Sequence, residues 1–466
     1  MTPTARSFAP VICALAIAAR PGTPAFPQHA VPPSPTSVPV LLVHSASGPY
    51  RLVERSDWSR YDDGKYSGHV YREVRANISP IEDSIGGTLY RGNFFVLEET
   101  LRDLSKSAGS VDNAVPAIFR VAPNGTLDLR EDRGFPSLRG FPAFPAEAVA
   151  AGAKWTARGQ RAVDPRNDAS VVLLPLIVEY QYRGLEPYKG ETVHRVFARF
   201  ATRYKAPVPA SPDPAARMRS AVGRKGGAPF VEASGTHEAD ILIRASDGLP
   251  LMIRDRLDET FKWSDGSTIR FRGFTLTFAE GNSSLNRSAA IADLRHAFDG
   301  GVLDRDAAGT PSAEPGVAGT VPAEPEAASS ALDDPVVAAI ETASGIDVEP
   351  TEEGVKLTVR DVRFVPDSDE ILPAERDRLD LIAFALGKAG DRTFLVEGHT
   401  ADVGKPTGQL ELSKLRAKRI VDELAARGIP AERFLYKGWG GTKPLDSNAL
   451  EAGRARNRRV EITILE

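Results

Sequence analysis

The residues whose types could support catalysis or metal binding form no known catalytic pattern in the first two thirds of this chain. His44, His69, His194 and His237 are isolated, with no HExxH and no paired metal-ligand spacing. The chain also lacks a GxSxG elbow, a GxxxxGK(S/T) loop and a GxGxxG turn. Catalytic residues can meet from distant positions, so a hidden triad stays open. The pattern nevertheless predicts a protein that is not an enzyme and binds no metal or cofactor.

Five short motifs near the C-terminus follow one another in a fixed order: FVPDSDEIL, VEGHT, LSKLRA, GWGGTKP and GRARNRRVEI. In order and spacing they resemble the peptidoglycan-associating domain of the OmpA C-terminal family, over about residues 345–466. The resemblance implies a periplasmic domain that grips the diaminopimelate side chain of the peptidoglycan stem peptide. Such a domain breaks no bond, and its role is that of an anchor.

The resemblance also implies the chemistry of the site. Diaminopimelate carries an ammonium and a carboxylate on one carbon, so its receptor needs an anion and an arginine at a fixed separation. In the family, the arginine lies on the Leu-Ser-x-x-Arg-Ala helix and the anion is the aspartate after Gly-His-Thr. By position the arginine is Arg416, whereas Ala401 replaces the aspartate. The further candidate peptidoglycan-binding residues are Gly398, His399, Thr400, Leu412, Ser413, Asn457 and Arg458.

Asp402 is the alternative anion. Ten residues separate Ala401 from Leu412, and Gly404 follows Ala401 by three positions, as in the family. The aspartate has therefore not simply shifted by one position. In an extended backbone, adjacent side chains point to opposite faces, so Asp402 would point away from the family position. A loop can redirect it, so substitution by Asp402 stays open. The asparagine that usually precedes the second helix is also changed, to Gln409.

Each of these residues also has a purely structural interpretation. Gly398, Gly404 and Gly438 would serve turns, Asn457 and Arg458 would brace the last strand, and Arg416 would pair with a local carboxylate. We favour a retained ligand site with altered affinity or specificity, because an arginine at that position without a role would be a coincidence.

Strands and helices alternate around these motifs. Predicted strands are 355–364, 393–397, 433–437 and 458–465. A helix over 372–390 has the apolar stripe Leu379, Ile382, Ala383 and Leu386, and one over 412–428 has the stripe Ala417, Ile420, Val421 and Leu424. The alternation predicts a C-terminal α/β sandwich of OmpA-like type, βαβαβ with helices on a mixed sheet.

The region before it, 41–298, is predicted to be rich in β-structure. Asp-Gly and Asn-Gly dipeptides at 63–64, 124–125, 247–248 and 265–266 lie between apolar or alternating runs, which is typical of tight hairpins. The apolar phase of TIRFRGFTLTF changes at Gly273, which predicts a β-bulge. The prolines of GFPSLRGFPAFP indicate a turn between two sheets or subdomains, with a split near 131–165. A helix near 287–298 would close the region.

The aromatic residues of this region have two interpretations. Trp58, Trp155, Trp263, Phe94 and Phe95 are expected in a core. The alternative is an apolar ligand cavity, as in exported lipid carriers.

Composition and the N-terminus bear on localisation. Charged residues are 26% and the net charge is −4, so no strong field for nucleic acid is present. Arg6 followed by an apolar run to Ala19 predicts a signal peptide at 1–20, too short to span a membrane. The single cysteine, Cys13, lies inside this run rather than after it, so we expect neither lipidation nor disulfides. We expect no transmembrane segment in the mature chain.

The predicted organisation is therefore multidomain. A proline-rich tether (21–40) precedes the β-rich region (41–298), and an Ala/Pro/Glu-rich linker (299–335) leads to the OmpA-like domain (336–466). We expect an exported protein of the periplasm and cell envelope, and association with the outer membrane stays open. The expected partner is peptidoglycan, with binding weakened or lost. The rivals are that the last domain contacts other envelope proteins, or that the β-rich region binds a lipid or another apolar ligand.

Overall fold

The computed structural model describes residues 38–99, 108–168, 170–206, 229–283, 285–299 and 345–466. The predicted signal peptide, the tether up to residue 37 and the predicted linker beyond residue 299 lie outside the described residues. None of the helices in the described ranges is long and apolar enough to cross a membrane.

Antiparallel strands dominate the first part of the described chain. Their bounds are β1 (Tyr50–Asp62), β2 (Lys65–Glu82), β3 (Thr88–Glu99), β4 (Gly109–Ser110), β5 (Asn113–Val121), β6 (Leu127–Leu129), β7 (Leu138–Arg139), β8 (Lys154–Val163), β9 (Val172–Tyr188), β10 (Glu191–Lys205), β11 (Glu232–Arg244), β12 (Pro250–Lys262) and β13 (Thr268–Gly281). All except β4 form one twelve-stranded sheet with the order β6-β5-β3-β2-β1-β13-β12-β11-β10-β9-β8-β7.

The predicted hairpin turns are confirmed. Each of the four dipeptides lies between two paired strands, and the glycines at 64, 125, 248 and 266 have φ between 74° and 87°. Asp63 also has a positive φ of 49°. Local turn chemistry therefore sets four connections of the sheet.

The predicted β-bulge at Gly273 is wrong. The pairing of β13 with β1 and with β12 runs through Gly273 without a register shift. The buried residues of β13 are odd-numbered throughout and include Ala279 at its end. Phe274, Leu276 and Phe278 lie on the opposite face of the strand and are only half-buried. Glycine is needed because a Cβ there would lie 2.0 Å from the backbone oxygen of Asp57.

The large sheet curls until it is nearly closed. Trp58 on β1 and Val70 on β2 share one core cluster with Val163 on β8 and Leu174 on β9. Six strands lie between β2 and β8 in the sheet order, so seven inter-strand spacings would separate them by about 34 Å in a flat sheet. Residues 130–153 connect β6 at one edge to β8 near the other. The proline-rich stretch therefore links two edges of one sheet, where the sequence suggested a turn between two sheets or subdomains.

The C-terminal part is an α/β sandwich with a mixed sheet, as predicted. Its strands are β14 (Ile346–Thr351), β15 (Gly354–Arg360), β16 (Phe394–Gly398), β17 (Phe434–Gly438) and β18 (Arg459–Leu465), and the helices are α1 (Arg287–Asp299), α2 (Arg376–Gly387), α3 (Pro406–Ala426) and α4 (Glu451–Asn457). The sheet order is β14-β15-β18-β16-β17-β4, with β16, β17 and β4 parallel to one another. Both predicted apolar stripes, on α2 and α3, are buried in its core.

Two elements from the β-rich part of the sequence join this C-terminal layer. Helix α1 buries Leu294, Ala297 and Phe298 in the same core as α2 and α3. Strand β4 pairs with β17, and the amide nitrogen of Val111 donates to the oxygen of Tyr436 at 2.9 Å. The helix that the sequence assigned to the end of the β-rich region thus completes the neighbouring core.

Candidate functional site

The loop that carries VEGHTADVG leaves β16 at Gly398 and leads into α3. A Cβ on Gly398 would lie 2.2 Å from the oxygen of Ser413, and one on Gly438 would lie 2.5 Å from Ser413 Oγ. Both glycines therefore let α3 approach the ends of β16 and β17 directly. Gly404 has a φ of 92° and makes the turn before α3.

Ser413 and Gln409 tie three segments together under this loop. Ser413 is fully buried, and its Oγ accepts from the amide of Gly440 and donates to the oxygen of Leu410, both at 2.8 Å. The amide of Thr400 donates to the oxygen of Gly440 at 2.9 Å. Gln409 Oε1 accepts from the amide of Gly441 at 3.3 Å. The loop, residues 439–441 and α3 thus hold one another in place.

Ala401 and Asp402 lie in very different surroundings. Ala401 is 7% exposed, whereas Asp402 is exposed. The carboxylate of Asp402 accepts a hydrogen bond from Gln409 Nε2 at 3.3 Å, and its backbone amide donates to Asn448 Oδ1 at 3.1 Å. The methyl group of Ala401 therefore occupies the sheltered position, and the neighbouring carboxylate is turned toward the start of α3.

Arg416 projects from α3 toward the segment after β15. Its Nε donates to the backbone oxygen of Ser368 at 3.0 Å, and its guanidinium lies 4.7 Å from the ring centroid of Phe364. Burial lowers the pKa of Arg416, Asp367 opposes that shift, and Arg458 adds to it. Within the described part of the chain, Arg416 forms no ion pair with a carboxylate. A cation held in this way can accept an anion from a ligand.

His399 and Thr400 form a polar floor beneath the loop. His399 is 3% exposed, and burial together with the charge of Arg459 lowers its pKa to about 3, so the imidazole is neutral at pH 7. Its two ring nitrogens and Thr400 Oγ1 are buried without a hydrogen-bond partner among the residues that the structure describes. Such groups mark a place where water or a polar ligand belongs.

The side chain of Asn457 stabilises the segment next to the VEGHTADVG loop, whereas the side chain of Arg458 pairs with α4. The side chain of Asn457 is buried; its Oδ1 accepts from the amides of Leu445 and Asp446, and its Nδ2 donates to Asn448 Oδ1 at 2.9 Å. The same Asn448 oxygen receives the amide of Asp402, so Asn457 positions that residue indirectly. Arg458 donates to Glu451 Oε1 at 2.7 Å. Leu412 is half-buried on α3 and brings no polar group.

A family model described as "OmpA family" matches residues 363–458. Those residues are an OmpA-family domain. The chain is 35% identical over 103 residues to "Peptidoglycan-binding protein ArfA" of Mycobacterium tuberculosis, which covers 22% of this chain and 32% of that protein. It is 34% identical over 105 residues to "Outer membrane protein A" of Bordetella avium, covering 22% of this chain and 54% of that protein.

A solved structure, "the cell wall anchor of the T6SS from Pseudomonas aeruginosa", is 34% identical with a TM-score of 0.25; it covers 26% of this chain and 89% of that one. The chain thus spans about a third of ArfA and about half of the Bordetella protein. These matches all concern about a quarter of the chain or less.

The structure brings several groups to the OmpA-family site that the sequence did not single out. The ring of Phe364 and the backbone oxygen of Ser368 contact the guanidinium of Arg416. The side chain of Asn448 accepts a hydrogen bond from the amide of Asp402. Trp439 Nε1 donates to Glu397 at 2.5 Å. Phe364, Ser368 and Trp439 fall inside the quoted motifs FVPDSDEIL and GWGGTKP. Their membership in these motifs is the signal in the sequence that could have identified them. Their contacts with α3 and β16 form only when the sheet folds, so the sequence alone does not show them.

His237 in the curled sheet stands in a triad-like arrangement. Its Nδ1 lies 2.8 Å from Asp255 Oδ2, and its Nε2 lies 3.4 Å from Thr202 Oγ1. However, the Thr202 hydroxyl donates to Glu259 at 2.6 Å, the imidazole stacks on Phe200, and all five side chains are buried. The arrangement therefore supports a structural ion cluster. In the described ranges, no group of three or more His, Cys, Asp or Glu side chains is placed to hold a metal ion.

The interior of the curled sheet also contains an apolar cavity of about 120 Å³, lined by residues that include Tyr50, Val74, Phe94, Phe119 and Phe141. A cavity of about 150 Å³ in another protein takes up benzene. This cavity therefore has room for a ring-sized apolar group, and a complete lipid chain would require it to expand.

Proposed function

We propose that this chain is an exported, non-enzymatic envelope protein whose OmpA-family domain binds peptidoglycan through a zwitterionic stem-peptide residue of the diaminopimelate type. The observation that carries the proposal is Arg416, a partly buried guanidinium fixed by a backbone carbonyl and an aromatic ring, with no carboxylate partner in the described structure. The relative ArfA is named a peptidoglycan-binding protein, which supports the same ligand class.

In this proposal Arg416 takes the ligand carboxylate, and the ligand ammonium lacks its usual partner. Ala401 occupies the sheltered position next to the polar floor of His399 and Thr400, where a carboxylate would meet the ammonium. Asp402 already accepts a hydrogen bond from Gln409 and faces solvent. The proposal is therefore that binding is weak, and that Asp402 does not replace the missing aspartate.

Titration calorimetry of the full chain with a soluble stem peptide tests these assignments. Ala401→Asp should strengthen binding by about 10- to 150-fold, the value of one charge-assisted hydrogen bond of about 1.5–3 kcal/mol. Arg416→Ala should abolish the residual binding, and Asp402→Ala should leave the affinity within about twofold.

Lys418→Ala is the matched control, because Lys418 lies on the same helix and pairs with Asp422 at 2.7 Å, four residues along. Tight binding by the unaltered chain that disappears in Asp402→Ala would show that Asp402 is the anion. If purified sacculi retain neither the chain nor Ala401→Asp, the domain instead serves contacts with other envelope proteins.

A second candidate function rests on the cavity in the curled sheet. The apolar lining of this cavity is suited to a small apolar ligand. Native mass spectrometry of the purified protein should then show a bound apolar molecule, and Val74→Trp, which fills the cavity, should remove it. An unchanged ligand in Val74→Trp would place that molecule elsewhere.

A further inference from the structure

A second polar cleft lies between the curled sheet and the OmpA-family domain, away from the Arg416 loop. Its volume is about 510 Å³, within the range of ligand pockets. Its walls come from the start of β1, residues 281–283 and 285–286, the first half of α1 and the segment between α2 and β16. No residue of this cleft takes part in the proposed peptidoglycan site.

Arg392 lines this cleft and is incompletely bonded. It is 8% exposed, and its Nη2 donates to the oxygen of Ser283 at 2.6 Å and to Ser283 Oγ at 3.1 Å. Its Nη1 is buried with no acceptor among the described residues. An unsatisfied buried guanidinium nitrogen is costly, which indicates that an acceptor belongs beside it.

Further positive charge collects around Arg392. Arg51 lines the cleft and donates to the oxygen of Asp391, and Arg433 donates to the oxygen of Arg392 at 2.8 Å. Arg433 Nη2 is also buried without a partner in the described ranges. Burial lowers the pKa of both Arg392 and Arg433, and the charge of Arg51 lowers it further.

The carboxylates nearby do not neutralise this cluster fully. Glu466 raises the pKa of Arg392 but is engaged in an ion pair with Arg287. Asp391 and Asp293 line the cleft together with Arg51, Lys388 and Arg392, so the lining carries three cationic and two anionic side chains. The remaining positive charge favours an anionic ligand.

Helix α1 adds an anion-binding terminus to the same cleft. It has 13 residues, and Asn286 and Ala289 at its start line the cleft. Asn286 Oδ1 caps the helix by accepting from the amide of Ala289 at 3.0 Å. The amino end of a helix carries partial positive charge and favours anions.

From these observations we propose that the cleft binds an oxyanion, a carboxylate or a phosphate, between Arg51, Arg392 and the first turn of α1. The bound group supplies acceptors to the guanidinium groups and joins β1 of the curled sheet to the OmpA-family domain. The ligand therefore stabilises the packing between these two parts of the chain.

Thermal unfolding and calorimetry of the full chain with inorganic phosphate and with citrate test the proposal, against chloride at equal ionic strength. We expect phosphate or citrate to raise the unfolding temperature above the chloride value. Arg392→Met and Arg51→Gln should each weaken the affinity by about tenfold or more. Arg60→Gln, on the same strand but outside the cleft, should leave it unchanged.

Arg51 is only half-buried, so Arg51→Gln carries the test if Arg392→Met fails to fold. Equal unfolding temperatures in phosphate, citrate and chloride would overturn the proposal, as would a full effect retained in Arg51→Gln. Cosedimentation with anionic phospholipid vesicles, abolished in Arg51→Gln, identifies a headgroup phosphate as the source. Binding of free phosphate without cosedimentation identifies a soluble anion.

Discussion

The curled sheet and the OmpA-family domain differ in how a buried or half-buried arginine is partnered. Inside the sheet, Glu259 accepts from Arg161 and Thr202 at 2.6 Å each, and His237 pairs with Asp255 at 2.8 Å. The OmpA-family domain also buries an ion pair, Arg459 with Glu461 at 2.7 Å. Its helices α2 and α3 enclose an apolar cluster, however, and Arg416 lies on α3 with a backbone oxygen as its acceptor. Paired buried charges serve the fold, whereas Arg416, which has no carboxylate partner among the described residues, can accept an anion from a ligand.

The ion cluster of the curled sheet and the apolar cluster around α2 and α3 stabilise the protein by different interactions. Breaking a buried ion pair leaves an uncompensated charge, while shortening a core side chain leaves a cavity. The first effect depends on protonation and the second does not. The two regions can therefore be distinguished by mutation and by pH.

The largest expected loss follows from Glu259→Ala. The change would leave Arg161 and His237 without their shared carboxylate, at a cost of about 3–5 kcal/mol in the free energy of unfolding. Denaturant unfolding of the full chain measures it, with Glu131→Ala, an exposed carboxylate, as the control. A loss below about 1 kcal/mol would mean that the cluster is already hydrated.

Leu424→Ala should cost about 2–5 kcal/mol, because Leu424 is fully buried between α3 and the C-terminal sheet. Its cost should be the same at pH 5 and pH 8, in contrast to Glu259→Ala. A strong pH dependence of the Leu424→Ala effect would contradict the apolar description of this core.

Two of the four buried histidines in the described structure, His237 and His399, should give opposite responses to pH. Burial alone would lower the pKa of His237, but Asp255 and Glu259 raise it above the ordinary 6.5. Its stabilisation is therefore complete below about pH 6.5 and is lost as the pH rises through the folded value. For His399, with a pKa of about 3, the unfolded state binds the proton first. Acid therefore destabilises the OmpA-family domain between about pH 6.5 and 3.

Hydrogen exchange measured region by region from pH 4 to pH 9 would show both trends. His399→Phe should remove the acid sensitivity of residues 394–400 while leaving the alkaline trend of β11 intact. If His399→Phe leaves the acid sensitivity of residues 394–400 unchanged, the assignment of that trend to His399 is wrong.

The smallest effect is expected at the surface of the sheet. Arg270 forms two hydrogen bonds with Asp258, at 2.7 and 2.6 Å, but both side chains are exposed. Arg270→Gln should change the free energy of unfolding by less than about 1 kcal/mol. A larger effect would show that surface pairs contribute to the sheet as the buried cluster does.

The features that the sequence predicted correctly are those with local causes. The stripes of α2 and α3 follow from helical periodicity, and the Asp-Gly turns from the backbone freedom of glycine. The pairing of β4 with β17 and the docking of α1 join residues that are distant in the sequence. Gly273 misled the prediction because a close backbone approach, rather than a bulge, requires it.

The features of the candidate site also divide into those that the sequence could predict and those that depend on the folded chain. Position within the family motifs identified Arg416 and Ala401. The acceptor of Arg416 at Ser368 and the link from Asn457 through Asn448 to Asp402 arise only when loops from three segments meet. Hydrogen bonds between distant segments leave no periodic signal in a sequence.

Strand β4 has one more consequence, which concerns self-association. An uncovered strand at the edge of a sheet is a template for pairing with a second molecule. The two residues of β4 occupy that edge of β17, and Phe95, Leu97 and Val111 cover Leu395, Leu435 and Leu465 beside it. A fragment that starts at residue 345 would lose both β4 and this cover. Its β17 edge would then be open to the same edge of another copy, so we expect such a fragment to self-associate more readily than the full chain.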